Sequence, residues 1–215
     1  MTSIVYRHPL VYELVMRALY GKHYRARLRA IAELIEEGSS VVDLCCGPSA
    51  LYRYELRGKR VHYSGVDINP VFLGRLEREG AAAIEADLAA LEEYPEADYL
   101  IMLGSLYHFL PDAHAVVERM LRAARRGVIV SEPIRNLADA KSPTVRRLAA
   151  WLTNPGTKSP RDRFDEESLG ALFARFEGRV ERSFLIPGER ERVTVLRAGT
   201  GSGSRGGTRC PAARP

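Results

Sequence analysis

Short apolar runs alternate with amphipathic stretches along much of the chain. Runs of strand length that are rich in Val, Ile, Leu and Ala lie at residues 40–45, 61–68, 81–87, 97–104 and 127–133. The stretches between them, which space their apolar residues as amphipathic helices do, lie at residues 48–58, 69–80, 88–93 and 111–127. This alternation predicts right-handed βαβ units and a parallel sheet that is covered on both faces.

Further elements are predicted on either side of the alternating region. Helical spacing and terminal signals predict helices at residues 8–21, 22–38, 144–154 and 165–176. The last apolar stretch, at residues 178–198, turns at Pro187 and Gly188 and predicts an antiparallel hairpin.

Length and composition favour a single domain with two flanking segments. A chain of 215 residues that is 46% hydrophobic can bury one sizeable core. We expect an N-terminal helical lid at residues 1–38, one domain at 39–198 and a disordered tail at 199–215. The tail is rich in Gly, Ser and Arg and lacks the apolar residues that a packed core needs.

Charge and cysteine content argue against several classes of protein. Part of the net charge of +5 comes from the tail, and elsewhere basic and acidic residues mix in runs such as RLEREG and GERERV. Nucleic-acid-binding proteins usually concentrate basic residues on one face, so we expect no nucleic-acid partner. No run has the length of a membrane span or the pattern of a secretory signal. The three cysteines lack disulfide or zinc-site spacing, so we expect a cytoplasmic protein without a bound metal.

The loop after the first predicted strand carries the candidate chemistry. In the segment VVDLCCGPSA, the polar and small residues of interest are Asp43, Cys45, Gly47 and Ser49. In open α/β sheets, ligands bind beyond the carboxyl ends of the strands, and Gly47 lets a ligand approach the backbone. Asp67 ends the second strand, where a carboxylate can accept both hydroxyls of a ribose. Together these residues predict an adenosine-containing cofactor.

Two classes of cofactor fit this position. A dinucleotide prefers a G-x-G-x-x-G/A loop, which this chain meets only at Gly47 and Ala50, with Cys45 at the first glycine position. S-adenosylmethionine carries an ammonium group, which the Asp43 carboxylate can attract directly or through water. The carboxylate within the loop therefore favours S-adenosylmethionine.

Four segments resemble the successive motifs of class I S-adenosylmethionine-dependent methyltransferases. They read VVDLCCGPSA, VHYSGVDINP, AAAIEADLAAL and ADYLIMLGSLYHFLPD, and the resemblance covers roughly residues 40–197. It implies the Rossmann-like methyltransferase fold, which is an α/β fold with a doubly wound, seven-stranded, mostly parallel sheet and a C-terminal antiparallel hairpin. A dehydrogenase would need a further βαβ half, for which the chain has no room.

The resemblance also implies roles for individual residues. The methionine part of the cofactor would be surrounded by Asp43, Cys45, Gly47 and Ser49, and the ribose would be held by Asp67. The residues implied near the adenine are Asp87 and Leu88, and those lining the cofactor after the fourth strand are Gly104 and Ser105. The usual loop is D/E-x-G-x-G-x-G, and two of its glycines are replaced by Cys45 and Ser49 here.

Residues after the fourth strand are candidates for contact with the methyl acceptor. His108 is either a general base, since an unperturbed histidine titrates near neutral pH, or a residue that packs at the start of the next helix. Tyr107 is a comparable catalytic candidate. Past the fifth strand, we expect acceptor contacts or a structural salt bridge from Glu132, Arg135 and Asn136.

Two tyrosines and the adjacent cysteines have competing interpretations. Tyr20 and Tyr24 either contact the acceptor as part of the lid or pack between helices. Cys45 and Cys46 lack a basic neighbour that would favour the thiolate, so we expect small-residue packing rather than covalent chemistry.

The predicted reaction is an in-line transfer of a methyl group to an oxygen, nitrogen or carbon atom. The acceptor is predicted to be a small molecule, including lipid or sugar intermediates, and neither a metal nor a covalent intermediate is required. Two alternatives stay open, an NAD(P)-dependent oxidoreductase and a non-catalytic cofactor-binding module.

Overall fold

A computed structural model describes residues 9–134 and 163–199 of the chain. The predicted helix at 144–154 and nearly all of the predicted tail lie outside the described residues. The same holds for two predicted acceptor contacts, Arg135 and Asn136. Within the described ranges, no helix is both long enough and apolar enough to cross a membrane.

Seven strands form one sheet with the order β3-β2-β1-β4-β5-β7-β6. The strands are β1 Ser40–Leu44, β2 His62–Asp67, β3 Ala82–Glu85, β4 Ala97–Leu103, β5 Ala124–Pro133, β6 Val180–Leu185 and β7 Glu191–Arg197. Strands β1 to β5 pair in parallel, and β7 runs antiparallel between β5 and β6. The predicted fold class, including the antiparallel hairpin, is confirmed. The strand order reverses between β1 and β4, where open sheets of this kind bind ligands.

Helices cover both faces of the sheet. They are α1 Pro9–Tyr20, α2 Tyr24–Ala32, α3 Pro70–Arg78, α4 Ala113–Ala123 and α5 Glu166–Ala174. Helix α3 begins with Pro70 after Asn69, whose side chain accepts a hydrogen bond from the Val71 N–H at 3.0 Å. One buried cluster lies under α4 and α5, and the other lies under α2 on the opposite face.

The structure corrects three predicted helices. The short helix predicted at residues 88–93 is a turn, because the Asp87 side chain accepts a hydrogen bond from the Ala89 N–H at 2.9 Å and competes with helix formation. The helix predicted at 22–38 ends at Ala32. The backbone hydrogen bonds that follow join residues three apart instead of four, and the Lys59 ammonium group donates a hydrogen bond to the Ala32 carbonyl. The stretch after β1 forms a π-helical turn, Tyr52–Leu56, instead of a regular α-helix.

Gly65 in β2 is required for close packing between the sheet, α3 and the loop after β1. A Cβ atom at this position would lie 2.5 Å from Leu76 Cδ2 and 2.7 Å from Cys46 Sγ. We expect Gly65→Ala to lower the free energy of unfolding by about 1–3 kcal/mol through overpacking. Denaturant unfolding would measure this loss.

A matched control is available in α3. A Cβ atom at Gly74 would have no neighbour within 4 Å, so Gly74→Ala should stabilise the protein by up to about 1 kcal/mol through helix propensity. Equal effects of the two substitutions would contradict the packing argument for Gly65.

Candidate cofactor site

The loop after β1 contains three residues with left-handed backbone conformations. Cys45, Gly47 and Ser49 have φ angles of 55°, 53° and 52°. Only glycine adopts this region without penalty, so Cys45 and Ser49 each store roughly 1–2 kcal/mol of strain. These are the two positions where the usual methyltransferase loop has glycine. Both positions therefore have the backbone conformation that glycine favours, although neither residue is glycine.

Asp67 at the end of β2 holds this loop against the sheet. Its Oδ2 accepts a hydrogen bond from the Gly47 N–H at 2.8 Å, and its Oδ1 accepts one from the Asn69 N–H at 2.9 Å. Burial raises the pKa of Asp67, and the backbone donors oppose that shift. A carboxylate has about four lone-pair sites, and backbone N–H groups of Gly47, Ile68 and Asn69 bond to this one, so Asp67 keeps capacity for at least one further donor such as a ribose hydroxyl.

Asp43 is buried beside the same loop, with 2% of its surface exposed. The Tyr63 hydroxyl of β2 donates a hydrogen bond to Asp43 Oδ2 at 2.6 Å. Burial raises the pKa of Asp43 to about 7, the hydrogen bond from Tyr63 opposes this shift and the charge of Asp67 adds to it. A cationic group that enters the site would therefore meet a carboxylate that is only partly ionised near neutral pH.

The two cysteines of the loop are held as thiols. Burial raises the pKa of Cys45 first, and four carboxylates add to the shift, in the order Asp67, Asp43, Glu132 and Asp87. Burial likewise raises the pKa of Cys46, which packs against the position of Gly65. Both shifts disfavour the nucleophilic thiolate, as expected from the sequence. The carboxyl groups that affect Cys45 come from the ends of β1, β2 and β5 and from the turn after β3.

An exposed apolar surface borders Asp67. Ile68 directly follows it and exposes 66% of its surface, and Val71 in the first turn of α3 is also exposed. A flat apolar ring such as adenine can pack on side chains of this kind. Of the two residues predicted near the adenine, Asp87 is exposed and Leu88 is buried in the core. Ile68 was not predicted, although an apolar residue directly after the acidic strand end is a usable signal.

Gly104 and Ser105 follow β4 at the same edge of the sheet. Gly104 has a φ of 65°, and its N–H donates to the Ser131 carbonyl of β5 at 2.6 Å. The Ser105 hydroxyl donates to the Leu103 carbonyl at 3.3 Å. The backbone of both residues is thus fixed between β4 and β5, next to the loop of β1.

Tyr107 and His108 lie in a short 3-10 helix, Leu106–Phe109, that follows Ser105. Their ring centroids are 4.0 Å apart, and the guanidinium of Arg163 lies 4.4 Å from the centre of the Tyr107 ring. Both side chains are half-buried. The structure therefore groups the two catalytic candidates with a cation at the carboxyl end of β4.

Glu132 presents a buried carboxyl group at the end of β5. It is 1% exposed, its Oε1 accepts a hydrogen bond from the Leu106 N–H at 2.6 Å, and its Oε2 has no hydrogen-bond partner in the described part of the chain. Burial raises the pKa of Glu132 to about 8, although the Leu106 donor opposes the shift. A buried polar atom without a partner is rare and is typical of functional sites.

Tyr20 anchors the N-terminal helices to the sheet. The Tyr20 hydroxyl donates to Glu191, the first residue of β7, and Arg27 binds both carboxylate oxygens of Glu191 at 3.0 Å. The Ser131 hydroxyl completes this buried set at 3.0 Å. Tyr24 is also buried and packs in the core cluster under α2. The acceptor contact predicted for Tyr20 and Tyr24 stays a prediction.

Comparisons with known proteins agree with this architecture. The family described as methionine biosynthesis protein MetW matches residues 25–137, just over half of the chain. No curated protein sequence matches. Among solved structures, magnesium protoporphyrin IX methyltransferase from Synechocystis PCC 6803, with bound S-adenosylhomocysteine, has a TM-score of 0.61 at 17% identity and covers 86% of this chain and 93% of its own.

Two further structures show the same fold. A TehB-like S-adenosylmethionine-dependent methyltransferase from Corynebacterium glutamicum has a TM-score of 0.56 at 16% identity, with 85% of this chain and 92% of that chain covered. An S-adenosylmethionine-dependent methyltransferase from Aquifex aeolicus has a TM-score of 0.59 at 12% identity, with coverage of 86% and 97%. These likenesses confirm the fold that the sequence resemblance implied.

Proposed function

The chain belongs to the methionine biosynthesis protein MetW family, and from this premise we propose that it binds S-adenosylmethionine and transfers the methyl group to a small-molecule acceptor. The observation that carries the proposal is the arrangement at the ends of β1 and β2. There, a strained loop with three left-handed residues lies between the carboxyl groups of Asp43 and Asp67. One carboxyl group suits an ammonium group and the other suits a ribose.

The residues of the site match the chemical groups of this cofactor, and none of the proposed contacts involves a metal ion. Asp43 would hold the amino group of the methionine part, and Asp67 would hold the ribose hydroxyls. Ile68 offers the apolar surface for the adenine ring, next to Asp67. The cofactor supplies a methyl group on a sulfonium, which is already a good leaving group. The contribution of the protein is therefore orientation and exclusion of water, and orientation is worth up to about 7–11 kcal/mol in well-aligned reactions.

The acceptor would lie beyond β4 and β5. Tyr107 and His108 line this edge, and Glu132 places a carboxyl group with an unpartnered oxygen beside them. At neutral pH, Glu132 is mostly protonated and can donate a hydrogen bond to the acceptor. His108 can take up the proton that the acceptor loses. We propose a small-molecule acceptor and a cytoplasmic location on the balanced charge and the cysteine pattern of the chain.

Thermal unfolding with three ligands tests this function. We expect S-adenosylmethionine and S-adenosylhomocysteine to raise the unfolding midpoint by roughly 5–10 °C at 100 times the dissociation constant, which corresponds to about 2.7 kcal/mol. NADH should cause no shift. A shift with NADH alone would identify a dinucleotide site, and no shift with any ligand would leave a fold without this cofactor.

A further inference from the structure

Tyr63 is held rigidly next to the candidate cofactor site. Its ring is buried in β2 and stacks on the Tyr52 ring of the π-helical turn, with centroids 4.8 Å apart and an interplanar angle of 25°. Its hydroxyl reaches Asp43 Oδ2 at 2.6 Å, which is in the short range for a bond to a carboxylate. While the stack is intact, the ring holds the Tyr63 oxygen beside Asp43.

The groups around Asp43 make the hydrogen bond from Tyr63 important. Strand β2 directs Tyr63 and Asp67 at it, the loop after β1 contributes Cys45 and Cys46, and its β4 neighbour in the sheet is the apolar Ile101. None of these groups is cationic. Burial and Asp67 both favour the protonated form of Asp43, and the Tyr63 hydroxyl is the group that opposes them.

We propose that Tyr63 is a positioning residue, which favours the ionised form of the Asp43 carboxyl group and orients it to receive the ammonium group of the cofactor. This inference rests on the proposed function for the identity of the ligand. The effect of Tyr63 on the titration of Asp43 is expected whether or not that ligand binds. A purely structural tyrosine would stabilise the fold through its ring and leave the titration of Asp43 unchanged.

The first test needs no ligand. The carboxyl carbon of Asp43 is titrated by 13C NMR in the wild type and in Tyr63→Phe, which keeps the ring and removes the hydroxyl. We expect the pKa of Asp43 to rise by about one unit in the variant, because a hydrogen bond to the charged form is lost. The matched control is Tyr52→Phe, which keeps the stacked pair and removes a hydroxyl that bonds to the Glu79 carbonyl at 3.4 Å.

The second test measures binding of S-adenosylhomocysteine by calorimetry between pH 6 and pH 9. If the pKa of Asp43 rises from about 7 to about 8, the Kd of Tyr63→Phe should be about tenfold higher than that of the wild type at pH 6 and about fivefold higher at pH 7. The two Kd values should be nearly equal at pH 9. The ratio of the two proteins cancels the titration of the ligand itself. Tyr52→Phe should give a ratio near one at every pH.

The outcomes separate this inference from the proposed function. An unchanged pKa of Asp43 in Tyr63→Phe, or an affinity ratio that does not vary with pH, would overturn the role of Tyr63. If the wild type does not bind S-adenosylhomocysteine, the proposed function fails, and the NMR titration still decides the effect of Tyr63. If Tyr63→Phe does not fold, site-specific Tyr63→difluorotyrosine keeps the ring, strengthens the donor and should lower the pKa of Asp43.

Discussion

Asp67→Ala is expected to weaken S-adenosylhomocysteine binding by roughly 100-fold or more. The substitution removes the acceptor proposed for both ribose hydroxyls, and a hydrogen bond to a charged group contributes about 1.5–3 kcal/mol. It also frees the Gly47 N–H, so the loop after β1 loses the bond that fixes it to β2. Isothermal titration calorimetry on the purified variant measures the loss directly.

The control for this variant is Asp98→Ala. Asp98 also accepts a backbone hydrogen bond, from the Ser40 N–H at 2.8 Å. It lies at the amino end of β4, whereas Asp67 lies at the carboxyl end of β2. We expect Asp98→Ala to lower stability and to retain the wild-type affinity. Equal losses of affinity in the two variants would show that binding responds to general destabilisation, and full binding by Asp67→Ala would remove the ribose role.

Arg27→Ala is expected to lower the free energy of unfolding by about 3–5 kcal/mol. Arg27 binds both oxygens of Glu191, and both side chains are almost fully buried. Removal of the guanidinium leaves a buried carboxylate whose remaining side-chain partners, within the described ranges, are the hydroxyls of Tyr20 and Ser131. Breaking a buried ion pair on one side has a cost of this size. Chemical denaturation of the two proteins gives the difference.

The double variant Arg27→Met with Glu191→Leu tests the cause. It removes both charges and fills the space with apolar side chains, which is often neutral for buried pairs. We therefore expect the double variant to recover much of the stability that Arg27→Ala loses. A double variant that is as unstable as the single one would assign the loss to packing around Arg27 instead of to the unpaired charge.

The sequence predicted the features that depend on local periodicity. Strand runs alternating with helices fix the α/β class, and the turn at Pro187 and Gly188 marks the hairpin between β6 and β7. The position of the loop after β1 follows from the same pattern, because the carboxyl ends of parallel strands lie together on one side of the sheet. The short helix at 88–93 was wrong because a side chain, Asp87, took the hydrogen bond that a helix would have needed.

The contacts that define the site link residues that are distant in sequence. Tyr63 lies on the face of β2 that meets Asp43, and only the pairing of β1 with β2 brings them together. The bond between Arg27 and Glu191 spans 164 positions. Periodicity gives no information about such pairs, although a tyrosine in a buried parallel strand does signal that its hydroxyl needs a partner.

The place of β7 in the sheet also has a consequence for synthesis of the protein. Strand β5 gains its outer neighbour only after the ribosome has added roughly 60 further residues, which takes about 3–12 s at typical rates. Until then, the free edge of β5, whose side chains are mostly buried in the finished sheet, can pair with another chain. The nascent chain is therefore most prone to aggregate in this interval, and a product that ends before Glu191 would keep the exposed edge permanently.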